Sequence, residues 1–121
     1  MTSYLMNGAQ CGFGRTEPMP NGQPTPGLKI GQFVPPNGPG DAVLFWECME
    51  QRIDGVQKTN AVWNDGSSSP SEEVMSDRHF TGANIACIDG HVEWWDQSAW
   101  THWLGMYPGR LWCDPLTANG Q

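Results

Sequence analysis

Three side chains that often bind metals lie within one short segment of the sequence: His79, Asp89 and His91. Imidazole and carboxylate groups are good ligands for zinc or iron. However, Asp89 and Gly90 together are typical of a tight hairpin turn, and an extended strand rises about 3.3 Å per residue, so His79 lies far from that turn. We therefore predict that the three side chains do not share a site. His79 is expected to bond nearby backbone and to stabilise the entry to the hairpin.

The middle of the chain carries a second set of candidate ligands, whose carboxylate and amide oxygens suit calcium. Their spacing does not match the twelve-residue EF-hand loop, and a solvated acidic loop is the alternative interpretation. The residues predicted to hold calcium are Asn64, Asp65, Glu72 and Asp77. We predict no other cofactor.

Hydrolytic catalysis has little support in the sequence. The serines from Ser67 to Ser69 lack the G-x-S-x-G frame that exposes a nucleophilic hydroxyl. Glu72 and Glu73 are adjacent, so they would point to different sides of a helix and would not form an acid/base pair. We predict that the protein is not an enzyme.

The four cysteines, at positions 11, 48, 87 and 113, contain no C-x-x-C pair, which disfavours a zinc finger or a thioredoxin-like motif. An even number fits two disulfides in an oxidising compartment, although the sequence leaves three connectivities open. We favour Cys48 with Cys87, because both lie on strands of the predicted core. The second pair is then Cys11 with Cys113, which would join the two ends of the chain. Four buried reduced thiols are the alternative.

A hairpin from Arg78 to Trp95 positions most of these groups. If Asp89 and Gly90 form a two-residue type I′ turn, both adopt positive φ, and Cys87 faces Val92 across the strands. One face of the hairpin is then apolar and directed toward the core, and it consists of Ile85, Cys87, Val92 and Trp94. The opposite face is mixed, and its residues expected at an interface with a partner are His91, Glu93 and Trp95.

Other patterns complete an α+β fold for a single domain, residues 1–121, built on a small antiparallel sheet with this hairpin at its centre. Residues 43–48 are apolar on both faces, which predicts a central strand. Asp96 is suited to cap a short C-terminal helix over 97–104, and Gly105 to end it. Segment 17–40 is rich in Pro and Gly and predicts a long ordered loop, with a flexible linker as the alternative. Weaker patterns predict a strand at 2–6, a strand at 59–63 and one helical turn at 72–77.

Composition limits the classes of partner. The 121 residues carry a formal net charge of −7, which disfavours nucleic acid because phosphates attract a basic surface. No apolar run approaches the roughly 20 residues of a membrane span, and no signal peptide is visible. The acidity fits a soluble, exported protein.

The hairpin also carries a resemblance to a known family. His79, nine intervening residues and then Asp89-Gly90 resemble the H-X9-DG signature of bacterial prepilin-type proteins, relatives of type IV pilins and type II secretion pseudopilins. Further segments resemble that family in the same order along the chain, and the coverage is weakest from Glu17 to Gly40. These segments are Ser3 to Gly8, Val43 to Glu47 and Gly109 to Cys113.

The resemblance implies a structural function and an extracellular location. Family members begin with a short basic leader and a long hydrophobic helix, which anchors the precursor and later forms the filament core. This sequence shows neither, so we expect either a fragment or the globular half of a split pilin whose helix is a separate chain. The domain would then be the outer part of a pilus-like or pseudopilus filament built from copies of itself. The resemblance also favours calcium, which major pseudopilins often hold in a comparable loop.

A secreted module that binds carbohydrate or acts as an adhesin, as a monomer, is the alternative function. Most of the seven tryptophans lie in the last third of the chain, where they would form either a sugar-stacking platform or a contact between subunits. Core packing alone explains Trp94, Trp100 and Trp103, whereas Trp95 is expected at an interface.

Overall fold

The fold is taken from a computed structural model, which describes residues 4–8, 28–35, 37–48, 52–53, 56–57, 67–68, 70 and 75–120. The elements in chain order are β1 (Tyr4–Asn7), a 3-10 turn (Ile30–Gln32), β2 (Val43–Glu47), β3 (Arg52–Ile53), β4 (Val56–Gln57), β5 (Ser67–Ser68), β6 (Gly82–Cys87), β7 (Val92–Asp96) and α1 (Gln97–Leu104). This is a small α+β fold, as the sequence predicts.

The main sheet has five strands in the order β5-β1-β2-β6-β7. Strands β1, β2, β6 and β7 pair antiparallel, and the short β5 adds parallel to β1. The predicted central strand is confirmed, because β2 lies between β1 and β6 and has apolar residues on both faces. The hairpin β6–β7 is not central, however, since β7 forms one edge of the sheet. Strands β3 and β4 pair separately.

The main core lies between one face of the sheet and α1. Trp46 of β2 and Trp100 of α1 meet there with their ring centroids 5.3 Å apart. Both rings are almost fully buried, and burying an aromatic side chain of this size dominates the stability of a small domain. Other buried members of this core are Leu5, Val43, Met75, Ala83, Ile85, Trp95, Leu111 and Trp112.

Helix α1 confirms its predicted bounds. Asp96 is the N-cap, and its Oδ1 accepts a hydrogen bond of 2.8 Å from the backbone N–H of Ala99. Gly105 is the C-cap, and its N–H donates to the carbonyls of His102 and Trp103. The apolar stripe that the sequence predicts is present, with Trp100 buried and Trp103 and Leu104 packed beside the core.

Part of the Pro- and Gly-rich segment is described, over residues 28–35 and 37–40. Its Phe33 is buried in a second small cluster with Ala42 and Cys113. Ile30 and Val34 are exposed, so Phe33 is the principal anchor of the described part of this segment. The predicted strand at 59–63 lies outside the described residues, as does the first half of the predicted helical turn, 72–74. The second half, 75–77, is not helical, and Met75 forms a β-bridge with Cys48 instead.

Candidate functional site: the hairpin and the outer face of the sheet

The hairpin turn is one residue longer than predicted. The N–H of Gly90 donates to the carbonyl of Cys87, and the N–H of Cys87 donates to the carbonyl of His91, each at 3.0 Å. Cys87 therefore faces His91, and the loop has three residues, Ile88 to Gly90. Gly90 has a φ of 94°, as the last residue of such a loop requires, and Asp89 has no positive φ. The predicted type I′ turn at Asp89-Gly90 is wrong.

This shift of one residue exchanges the core-facing and outward-facing side chains of β7 relative to the prediction, because successive side chains of a strand point to opposite faces. Ile85 pairs with Glu93 and Asn84 pairs with Trp94. Trp95 is consequently in the core with 4% of its surface exposed, whereas Val92 is 63% and Trp94 49% exposed. The predicted core positions of Val92 and Trp94 and the predicted exposure of Trp95 are therefore wrong.

Glu93 and Arg110 form a bidentate ion pair beside the buried Trp95. The guanidinium Nη2 of Arg110 lies 2.7 Å from Oε1 of Glu93, and Nη1 lies 2.9 Å from Oε2. The indole Nε1 of Trp95 donates to the same carboxylate at 2.8 Å, and the guanidinium lies 4.9 Å from a ring centroid of that indole. Hydrogen bonds from Arg110, and then from Trp95 and His91, outweigh partial burial and lower the pKa of Glu93 to about 2.

His91 bridges two carboxylates at the exposed end of the hairpin. Its Nδ1 lies 2.6 Å from Oδ1 of Asp89 and its Nε2 lies 2.8 Å from Oε1 of Glu93. These hydrogen bonds, that to Glu93 first, raise the pKa of His91 because they favour the imidazolium. The Sγ of Cys87 lies 3.4 Å from the guanidinium of Arg110, and burial raises the pKa of this thiol.

His79 lies apart from this cluster, as the sequence predicts, but its side chain has a different partner from the one expected. Its Nε2 lies 3.0 Å from Oε1 of Glu47, a residue that is only 5% exposed. Glu47 also accepts hydrogen bonds from the hydroxyl of Tyr4 at 3.1 Å and from the backbone N–H of Asn84 at 2.7 Å. Burial alone would raise the pKa of Glu47, but the donors from Asn84, His79 and Tyr4 hold it below its usual value.

Sequence reasoning missed both Glu47 and Arg110. Glu47 carries a usable signal, since a carboxylate in the otherwise apolar strand β2 requires donors wherever it is buried. Arg110 carries no such signal, because its partner Glu93 lies 17 residues earlier in the chain.

A second tight turn precedes β6, at Phe80 and Thr81. The backbone groups of His79 and Gly82 exchange hydrogen bonds of 2.9 and 3.1 Å, and the two central residues have φ of 53° and 67°. Positive φ is strained for a bulky or β-branched residue, and such strain often marks a functional position. Phe80 is 95% exposed at this turn, so the turn presents an aromatic ring to solvent.

The face of the sheet opposite the core carries an apolar row. Strand register places Met6 beside Phe45, Phe45 beside Ala86 and Ala86 beside Val92, which makes one row across four strands. We call this row, with the exposed rings that flank it, the outer face. The flanking exposed aromatic residues are Tyr4 and Trp94, which lie two residues from Met6 and from Val92 on the same strands.

The remaining predicted site residues are placed as follows. Cys87 is a thiol, so the predicted bond to Cys48 is wrong. The reason is register, because Cys87 pairs with Val43, and Cys48 lies roughly 16 Å farther along the strand at about 3.3 Å per residue. Cys11 lies outside the described residues, so its pairing with Cys113 stays a prediction. Of the four calcium ligands, Asp77 is exposed, and the predicted ligands outside the described residues are Asn64, Asp65 and Glu72.

Comparisons with protein-family models, with curated proteins and with solved structures give no match. The arguments for function consequently rest on the chain itself. Within the described ranges, no helix has the length and apolar character needed to cross a membrane.

The lowered pKa of Glu93 predicts acid lability. A carboxylate whose folded pKa is depressed contributes stability above its usual pKa, near 4.5, and that contribution is lost as pH falls toward about 2. We expect the stability difference between wild type and Glu93→Gln to shrink by about 1 kcal/mol between pH 5 and pH 3, after allowance for solvent screening. Urea unfolding at the two pH values measures this, and a difference independent of pH would contradict it.

Proposed function

We propose that this domain is the globular outer part of a structural subunit in an extracellular pilus-like or pseudopilus filament, and that its role is not catalytic. In this proposal the outer face packs against a hydrophobic helix supplied by a separate chain, and further contacts join copies of the domain. The observation that carries the proposal is the apolar row across the outer face, from Met6 through Phe45 and Ala86 to Val92.

The geometry of that row suits a helix. A sheet in a layered domain normally buries each apolar face against another element. Here one face packs on α1 and the core, while Val92 and Trp94 of the other face stay exposed. Four strands at about 4.8 Å spacing give a row roughly 14 Å wide, which exceeds the 10 to 12 Å diameter of an α-helix. A helix with an apolar stripe would therefore cover this row and form a second layer on this face of the sheet.

Filament growth also requires a contact between copies of the domain whose repetition does not form a closed ring. Two different patches on one subunit, each meeting the other kind on its neighbours, generate a helical array. The H-X9-DG resemblance favours this kind of assembly. Phe80 is 95% exposed and directly follows His79, whose side chain contacts Glu47 at the end of β2, so its ring is available for contact with a neighbouring copy.

The test is electron microscopy of negatively stained surface material from cells that produce the protein. We expect regular filaments from wild type, and we expect Val92→Lys to abolish them because a lysine cannot be buried under an apolar helix without a large cost. Thr101→Lys is the matched control, since Thr101 is exposed on α1, away from the outer face. Loss of filaments in both variants, or in neither, would contradict the proposal. Thermal melts of the purified variants check that each still folds.

A secreted carbohydrate-binding or adhesin module is the second candidate function. It is favoured by the half-exposed indole of Trp94, which is held in place by a 2.7 Å hydrogen bond from its Nε1 to the carbonyl of His79. A fixed, exposed indole is suited to stacking on a sugar ring. Dispersed particles under the microscope, together with sugar-dependent quenching of fluorescence that Trp94→Ala removes, would favour this function over the first.

A further inference from the structure

We propose that Cys87, His91 and Glu93 form a binding site for a divalent transition metal, with Zn²⁺ as the best-fitting ion. This site is separate from the outer face, and the proposal does not depend on filament assembly. Its ligand atoms are one thiolate sulfur, one imidazole nitrogen and one carboxylate oxygen. That mixture is characteristic of zinc and unlike the all-oxygen sets that hold calcium or magnesium.

Local backbone structure brings the three ligands together. Cys87 and His91 face each other where the two strands enter the loop, and Glu93 of β7 lies two residues after His91 on the same face of the hairpin. Their candidate ligand atoms all lie within 4.8 Å of one another. Two ligands of one tetrahedral zinc ion lie about 3.5 Å apart, given bonds near 2.0 to 2.3 Å. The exposed His91 and the half-buried Glu93 therefore need only small rotamer adjustments around the buried Cys87.

Asp89 prepares His91 for this role. A carboxylate that accepts the Nδ1–H of an imidazole fixes the tautomer and leaves Nε2 as the ligand atom, which is the usual arrangement around metal-bound histidines. Here Nδ1 lies 2.6 Å from Oδ1 of Asp89, and Nε2 is directed to Glu93. Asp89 therefore would not bind the ion itself but would orient His91, which does.

The contacts of Arg110 show that the ligand atoms of Glu93 and Cys87 already attract a positively charged group. Its Nη2 lies 2.7 Å from Oε1 of Glu93 and 3.4 Å from Sγ of Cys87. A bound ion would replace these two contacts and would release the thiol proton of Cys87, with that of His91 where it is protonated. Arg110 would keep its other bonds, from Nε to the carbonyl of Asp41 at 2.8 Å and from Nη1 to Oε2 of Glu93 at 2.9 Å.

The protein supplies three ligands, so the fourth position of a tetrahedral ion is left for water or for a group from a partner. His91 is exposed and Glu93 half-buried, and the site lies at the end of the hairpin on the edge strand. A bound ion would therefore be reached directly from solvent.

The test is titration of the purified 121-residue chain with Zn²⁺ and with Co²⁺, in a non-chelating reductant. We expect one ion per chain by calorimetry and, with Co²⁺, the strong near-ultraviolet band of a thiolate–cobalt bond. His91→Ala should weaken binding at least about tenfold, since even changes behind a ligand cost 10- to 100-fold. His102→Ala is the matched control, because His102 is an exposed histidine on α1.

Three outcomes would overturn the proposal: no binding, binding without the thiolate band, or equal affinities of wild type and His91→Ala. Cys87→Ser should abolish the band and is informative if the variant folds. His91 is exposed, so its replacement keeps the test decisive if the buried cysteine does not tolerate change.

Discussion

Replacing Gly82 with alanine should severely destabilise the folded domain. A Cβ at this position would overlap the carbonyl oxygen of Trp95 and would lie within 2.6 Å of the indole of Trp94. Neither obstacle moves easily, because Trp95 is core backbone and the Trp94 ring is tied by its hydrogen bond to His79. We expect a loss of about 4 kcal/mol or more, against a total stability of about 5 to 15 kcal/mol for a typical domain.

Gly31→Ala is the matched control for this prediction. Gly31 lies in the 3-10 turn, and a Cβ there would meet nothing within 4 Å. We expect a change within about 0.5 kcal/mol, as for most surface substitutions. Urea unfolding followed by tryptophan fluorescence measures both variants. A Gly82→Ala protein that unfolds at the wild-type urea concentration would show that β6 and β7 do not approach each other as closely as described.

The hairpin illustrates why its register was not predictable from local sequence. An Asp-Gly pair fits a two-residue turn, but glycine fits the last position of a three-residue loop equally well. What distinguishes the two registers is distant in sequence. In the observed register Trp95 reaches the core and Glu93 meets Arg110, whereas the predicted register would bury Val92 and Trp94 instead.

Elements whose own sequence decides their structure were predicted well. Strand β2 is recognisable because Val43 to Glu47 is a short, almost wholly apolar run. Helix α1 is recognisable because Asp96 caps it, Gly105 ends it and its tryptophans follow helical spacing. The sheet order and the outer face depended instead on which strands pair, which no local pattern specifies.

Replacing Glu47 with glutamine should destabilise the domain by about 3 kcal/mol. The buried carboxylate accepts hydrogen bonds from Tyr4, His79 and the backbone N–H of Asn84. The amide oxygen of glutamine could still accept from the N–H of Asn84, but its NH2 would then replace the charged oxygen that accepts from Tyr4 and His79. Hydrogen bonds to charged groups contribute about 1.5 to 3 kcal/mol each, against about 0.5 to 1.5 kcal/mol between neutral groups, and all three bonds would become neutral. Thermal unfolding should show a midpoint lower by roughly 10 °C.

Two further variants separate the contribution of the buried carboxylate from that of its exposed partner. Asp77→Asn, at an exposed position, should change stability by less than about 0.5 kcal/mol. His79→Ala should cost about 1 kcal/mol, because the His79 side chain is 48% exposed and water can replace it beside Glu47. If His79→Ala proved as damaging as Glu47→Gln, the histidine would carry the stability. A smaller loss in His79→Ala than in Glu47→Gln would instead identify Glu47 as the group that connects β1, β2 and β6, with His79 supplying one donor to it.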